Sequence, residues 1–312
     1  MSSPNGPGNG LPVRMPRPRQ SGRHRRPEPV VAPEDAPALV LAVPGEPSAA
    51  TRSLAAEIVS IARSELPGLD AQIGYVEGGS DEFPSLEDVL AQAAADRSSG
   101  VASGADEAAE SSEPAAQTGP QAPVAVVVPL LAGPDAVRMR QIRQAVLGSG
   151  TGAELTDVLG PHPLLAEAVH VKLSEAGLAR ADRARLFTVT TAADGIILAT
   201  LGGEEAVQAA GITGMLLAAR LAVPVLAAGL DEEGAVARTA DQLRDSGSQQ
   251  LAVAPCLIGP EVPPGLLDAA AEEAGCSSAE PLGPYPALGK LVASAYGAKL
   301  GLPQQPQGMP TR

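Results

Sequence analysis

Three carboxylates and one imidazole are the side chains in this sequence whose type and placement could do chemistry. Glu46, Glu77 and Asp135 each follow an apolar, strand-like run by a few residues. His162 stands in Leu159-Gly160-Pro161-His162-Pro163-Leu164-Leu165. Carboxylates gathered from three loops can hold a hard divalent cation through oxygen. A neutral imidazole can ligate a borderline metal or take a proton near neutral pH. The competing reading is plainer: loop acids in solvent, and a histidine that closes a turn and starts a helix. Glu46 and Asp135 are poor bases unless something raises their pKa. The other histidines offer less, because His24 lies in an Arg-rich tail and His170 on a helix-like run.

The elements that must position these side chains follow from periodicity. Ala38 to Val43 is a continuous apolar run and fits a strand buried on both faces. A helix is expected from about Ala49 to Glu65, and a strand from Asp70 to Val76 that closes at Glu77. Ser85 caps a helix, with Asp88 three residues on in a variant of the capping box. Pro123 to Val128 is a third strand stopped by Pro129. Gly133-Pro134-Asp135 leads into a helix to about Val146, and Glu154 to Leu159 is a fourth strand. The same order returns with Gly195 to Thr200, a helix to Arg220, Val223 to Ala228, a helix from Glu233 to Asp245, Gln250 to Pro255 and a helix to about Ala274. Leu186 to Val189 is either an extra strand or part of the connection.

The His162 motif also returns, as Leu282-Gly283-Pro284-Tyr285-Pro286-Ala287-Leu288. Two such coincidences read as tandem copies of one unit, with Tyr285 in the place of His162. The expected fold class is α/β: two tandem units, each a small parallel sheet with helices on both faces. Right-handed crossovers place every strand-end loop on one edge, where ligands bind in such sheets. The boundaries read as a disordered basic tail (1–36), a first unit (37–180) with a flexible acidic insertion (97–122), a second unit (181–302) and a tail (303–312).

Composition excludes several function classes. Net charge is −14, and six arginines precede the first acid, Glu28, so the remainder carries −14 − 6, about −20. Such a body repels nucleic acid. Aromatic residues make up 2% of the chain, so the core must be built from Ala, Val, Leu and Ile. The most apolar run, Ile212 to Leu230, is broken by Arg220 and Pro224 and reads as a helix end, a turn and a strand, not a membrane span. Cys256 and Cys276 match no zinc or CxxC spacing. With no apolar N-terminal h-region, the expected location is cytoplasmic. No GxGxxG, Walker loop or G-x-S-x-G elbow is present. Gly202-Gly203-Glu204-Glu205 offers helix N-terminal donors, but its two acids oppose an anion.

Leu39 to Gly45, Tyr75-Val76-Glu77 with Pro84-Ser85-Leu86, Val124 to Leu131 with Val137-Arg138, and Leu159 to Leu165 occur in an order that resembles the sirohydrochlorin chelatases. These are class II chelatases of siroheme and cobalamin synthesis, and the resemblance spans roughly residues 38–300. It implies a lyase that inserts Fe²⁺ or Co²⁺, as substrate, into a tetrapyrrole without ATP. Two histidines and a glutamate at strand ends would bind metal and take the pyrrole protons. Glu77 keeps its place in that pattern and is the expected catalytic residue. Pro44 and Ala136 stand where the two histidines would be. The metal set this leaves is Glu77, Glu46 and Asp135, with His162 beside them. A second reading departs from the enzyme altogether: a degenerate, non-catalytic member that binds a tetrapyrrole, another small ligand or a protein partner.

Overall fold

The computed structural model describes residues 30–105, 123–179 and 192–303, with side chains described outside 100–105. Strand β1 (Ala38–Val43) is buried at all six positions, as befits the central strand of a parallel sheet. It pairs with β2 (Ala71–Tyr75) on one side and β3 (Ala125–Pro129) on the other, and β3 pairs with β4 (Glu154–Leu155). The second sheet repeats this with β5 (Gly195–Thr200) flanked by β6 (Val225–Gly229) and β7 (Leu251–Pro255), and with β8 (Ser277–Ser278) outermost. The orders are β2-β1-β3-β4 and β6-β5-β7-β8. The chain is therefore an α/β protein of two tandem units, as the alternation of patterns predicts.

Helix α1 (Ala49–Glu65) begins at a reciprocal capping box between Ser48 and Thr51. Helix α2 (Leu86–Ala105) starts where Ser85 accepts from the Asp88 backbone N–H at 3.1 Å. The Asp88 carboxylate accepts from the Ser85 hydroxyl at 2.6 Å, not from the cap's own N–H. This helix runs nine residues into the stretch read from sequence as insertion. Arg97 accounts for part of that, donating to the carbonyls of Pro123 and Asp35. Order also begins earlier than Ala38: Ala32 is buried, and its N–H donates to Pro67 O at 2.9 Å. The fourth strand of each unit is only two residues long. The expected strand at Leu186–Val189, the boundary near residue 180, and most of both tails and of the acidic insertion lie outside the described residues.

The remaining helices are α3 (Ala136–Gly148), α4 (Pro163–Glu175), α5 (Gly203–Leu221), α6 (Ala235–Asp245), α7 (Leu266–Ala274) and α8 (Pro286–Lys299). Each unit has one outer layer of its own. Helices α2 and α3 cover Val40, Ala42 and Val127, and helices α6 and α7 cover Ile197, Ala199 and Val253. The inner layer is shared. Helix α8, the last of the second unit, packs on α1 and β3 of the first, while α4 packs on α5 and β7 of the second. One apolar cluster accordingly joins Leu39, Val128 and Leu165 to Ile196, Ala254 and Leu288.

This exchange of helices relies on small residues. A Cβ added at Gly289 of α8 would come within 2.5 Å of Ile61 Cβ on α1. Tyr296 on α8 is fully buried, and its hydroxyl donates to Pro37 O at 2.6 Å. Burying each such Leu, Val or Tyr side chain contributes roughly 1.5–3 kcal/mol, so the units are held as one body.

The repeated Leu-Gly-Pro motif is where the chain leaves its own sheet for the other unit. Leu159 N–H donates to Leu131 O at 3.0 Å, and Leu282 N–H to Leu257 O at 2.9 Å. Both leucines are buried.

Candidate functional site

The parallel register brings the strand ends into two short rows. Val43 lies beside Tyr75 and Ala42 beside Pro129, just as Thr200 lies beside Gly229 and Ala199 beside Pro255. Those pairs also align the two units. Gly45 corresponds to Gly202, Glu77 to Asp231, and Asp135 to Glu261.

The expected site residues have separate surroundings. Glu46 and Glu77 are exposed, and neither makes a hydrogen bond or ion pair among the described residues. The loop after Glu77 folds back instead: Tyr75 N–H donates to Pro84 O, and Phe83 stacks edge-on against Tyr75 with ring centroids 5.3 Å apart. Asp135 is buried and caps α3, accepting from the N–H groups of Val137 and Arg138 at 3.0 and 2.9 Å. His162 caps α4, its Nδ1 accepting from Leu164 N–H at 3.1 Å. Burial holds the His162 pKa below its ordinary value, which suits a neutral ring that accepts. Pro44 is buried, and Ala136 is the exposed first residue of α3. Among the described residues no three His, Cys, Asp or Glu side chains come together to hold a metal.

Tyr285 does not copy the His162 cap. It makes no side-chain cap bond, and its hydroxyl donates to Glu167 Oε1 on α4 at 3.3 Å. Burial and the nearby Glu167 carboxylate push its pKa up.

Two acids that sequence reading passed over have built surroundings. Asp231 Oδ2 accepts from Gly203 N–H at 2.8 Å and from Gly202 N–H at 3.3 Å, neutralising the start of α5. Glu261 is 2% exposed and binds the N–H groups of Ile258 and Gly259. Burial raises its pKa against the opposing pull of those two backbone donors. The signal that could have found both acids was the internal alignment, which sets them opposite Glu77 and Asp135.

The two rows of strand ends do not leave an open cleft between them. The loop after β1 lies against the loop after β7, and the loop after β5 against the loop after β3. A Cβ on Gly45 would fall 2.1 Å from Pro260 O, and one on Gly202 would fall 2.5 Å from Pro134 O. Arg138 crosses the same boundary and donates to Glu261 O at 2.5 Å. A crevice between them of about 190 Å³, lined by Gly133, Pro161, Thr200, Ala206, Thr213 and Cys256 among others, is too narrow to admit a water molecule. Burial pushes the Cys256 thiol up to about 12, with the Glu261 carboxylate adding to the shift. Such a thiol supplies no thiolate nucleophile at neutral pH.

Comparison with known proteins gives no family. No family model matches the chain, and no curated protein does. Solved structures to which it is similar include a periplasmic ribose ABC transporter protein from Conexibacter woesei DSM 14684, with 12% identity, TM-score 0.29, and coverage of 70% of this chain and 64% of that one. A second is a probable LacI family transcriptional regulator from Corynebacterium glutamicum, with 15% identity, TM-score 0.31, and coverage of 83% and 91%. A third is a periplasmic sugar-binding protein from Pseudomonas fluorescens, with 19% identity, TM-score 0.28, and coverage of 77% and 65%. The chain thus spans just under two thirds of the length of the first and third of these.

These findings correct the sequence reading. The resemblance to sirohydrochlorin chelatases does not stand, because no family model and no curated protein matches the chain and no three metal-ligating side chains meet among the described residues. With it go the lyase activity, the insertion of metal into a tetrapyrrole and the roles in siroheme and cobalamin synthesis. The physical reason lies in the loops. Short motifs common to parallel strand ends set the order of elements, but the side chains that such a reaction needs are absent at Pro44 and Ala136, and Asp135 caps a helix. No helix among the described residues is long and apolar enough to cross a membrane.

Proposed function

We propose that this chain is a non-catalytic binding protein whose recognition takes place on its outer surface and not between its two units. The closed crevice carries this reading. Loop-on-loop contact at Gly45 and Gly202 fills the place where an α/β protein of this topology would hold a small ligand. The exchanged helices α4 and α8 and the shared core resist any opening that would empty it. A body in which Asp135, His162, Asp231 and Glu261 are held by backbone N–H groups and the Cys256 thiol stays protonated suits the presentation of a surface better than the turnover of a substrate. Its two free thiols, Cys256 and Cys276, support placing it in a reducing, cytoplasmic compartment.

Native-state hydrogen exchange tests this. The amides of Gly203, Ile258 and Gly259 are expected to be protected, and to open only with the core strands. Independent opening of these loops, accompanied by saturable binding of a small molecule that slows it, would overturn the proposal.

A further inference from the structure

We propose that the outer face of the second unit carries a docking groove for the chain's own arginine-rich N-terminal segment, residues 11–26. The groove, about 370 Å³, lies between the loop after β6 and helix α7. Its floor is apolar, formed by Leu230, Val236, Leu266 and Ala270. Three carboxylates, Glu232, Glu233 and Glu273, stand on its rim. Arg238 offsets part of that charge by pairing with Glu232 and donating to Glu233 O. Glu273 accepts from Ala237 N–H at 3.1 Å. The Glu233 carboxylate has no such bond. A groove of this kind fits a segment that alternates apolar and cationic side chains, with stems on the floor and charges at the rim.

Residues 11–19 read Leu-Pro-Val-Arg-Met-Pro-Arg-Pro-Arg, and Arg23, Arg25 and Arg26 follow. The charge is opposite to that of the rim and of the body as a whole. Tethering makes even a weak contact count. The described chain begins at Val30, packed against the shared core. At about 3.3 Å per residue, the stretch from Arg14 to Val30 reaches up to roughly 50 Å. That matches the diameter of a body whose radius of gyration is about 19 Å. A contact within one chain is spared part of the translational cost that a separate molecule bears. This inference rests on the reading that recognition is an outer-surface property, but fails independently of it: an unoccupied groove leaves the closed crevice and its exchange pattern unchanged.

The test is made on the full chain carrying Cys276→Ser and Ser21→Cys, spin-labelled at position 21. Amides of 232–236 and 266–273 are expected to lose most of their intensity through paramagnetic relaxation, more than any other surface of the body. Glu233→Gln with Glu273→Gln should restore that intensity, since a glutamine at 273 can still accept from Ala237 N–H. Molar salt should restore it too. The proposal is overturned by loss spread evenly over the acidic surface, by no loss, by loss indifferent to the double glutamine variant, or by loss seen only between molecules in a mixed-isotope sample.

Discussion

Gly45 and Pro260 touch through backbone alone: a Cβ at position 45 would lie 2.1 Å from the Pro260 carbonyl oxygen. Its counterpart across the internal alignment, Gly202 against Pro134, is nearly as close at 2.5 Å. The two contacts clamp the strand-end loops of each unit on those of the other.

Replacing Gly45 or Gly202 by Ala should therefore be costly. Both have positive φ, +81° and +117°, and both would drive a Cβ into backbone that cannot swing away. Strain and overpacking together are expected to cost about 3–5 kcal/mol, or a melting-temperature loss of roughly 6–20 °C. Gly203→Ala is the control, because φ is +77° there but the space is open, and its cost should be nearer 1 kcal/mol. Equal losses at 45 and 203 in thermal unfolding would show that the clamp adds nothing.

Glu261 should make stability fall as pH rises. Its folded pKa is raised above the ordinary 4.5, chiefly by burial. The native state then holds the proton more tightly than the unfolded chain does, so ∂ΔG/∂pH is negative from about 4.5 upward through the raised value. The difference in melting temperature between the natural chain and Glu261→Gln should shift against the natural chain over that range. A difference constant from pH 4 to 8 would rule this out.

His162 predicts the opposite slope at a different pH. Burial lowers its pKa below 6.5, and its neutral Nδ1 caps α4. The cap's contribution is fully present above about 6.5 and is lost as pH falls through the lowered value. His162→Asn supplies a cap that does not titrate, so stability relative to it should be flat above pH 6.5 and fall below. Chemical denaturation at stepped pH measures this.

Asp135 and Asp231 should matter to folding where Glu77 does not. Alanine at 135 or 231 removes acceptors for two backbone N–H groups each, with an expected loss of about 1–2 kcal/mol. At 135 the loss should be the larger, because Arg138 Nε is already buried without a partner and would lose the nearby charge at 3.6 Å. Glu77→Ala, in solvent, should stay within about 0.5 kcal/mol of the natural chain. Urea titration of the three variants orders them.

The sequence by itself determined the elements and their repetition. The apolar run Ala38–Val43 and its echo Gly195–Thr200 read as strands buried on both faces, and the doubled Leu-Gly-Pro motif marked the start of the last helix of each unit. Local pattern suffices for this, because periodicity and turn chemistry act over a few residues. It overran at Glu154–Leu159, where only two residues pair, and underran at α2, whose extension is anchored by contacts to Asp35 and Pro123. What the tertiary structure alone decided was how the strand-end loops meet. Asp135 caps its helix through local bonds, but that its loop closes on another instead of opening on a cleft is decided by Gly202, far away in the sequence. The exchange of α4 and α8 likewise depends on small residues such as Gly289 meeting Ile61. Short motifs shared by many parallel sheets pointed to a metal chemistry, but packing between units filled the space that chemistry would need, because two loops that each expose a glycine can close on one another to backbone contact.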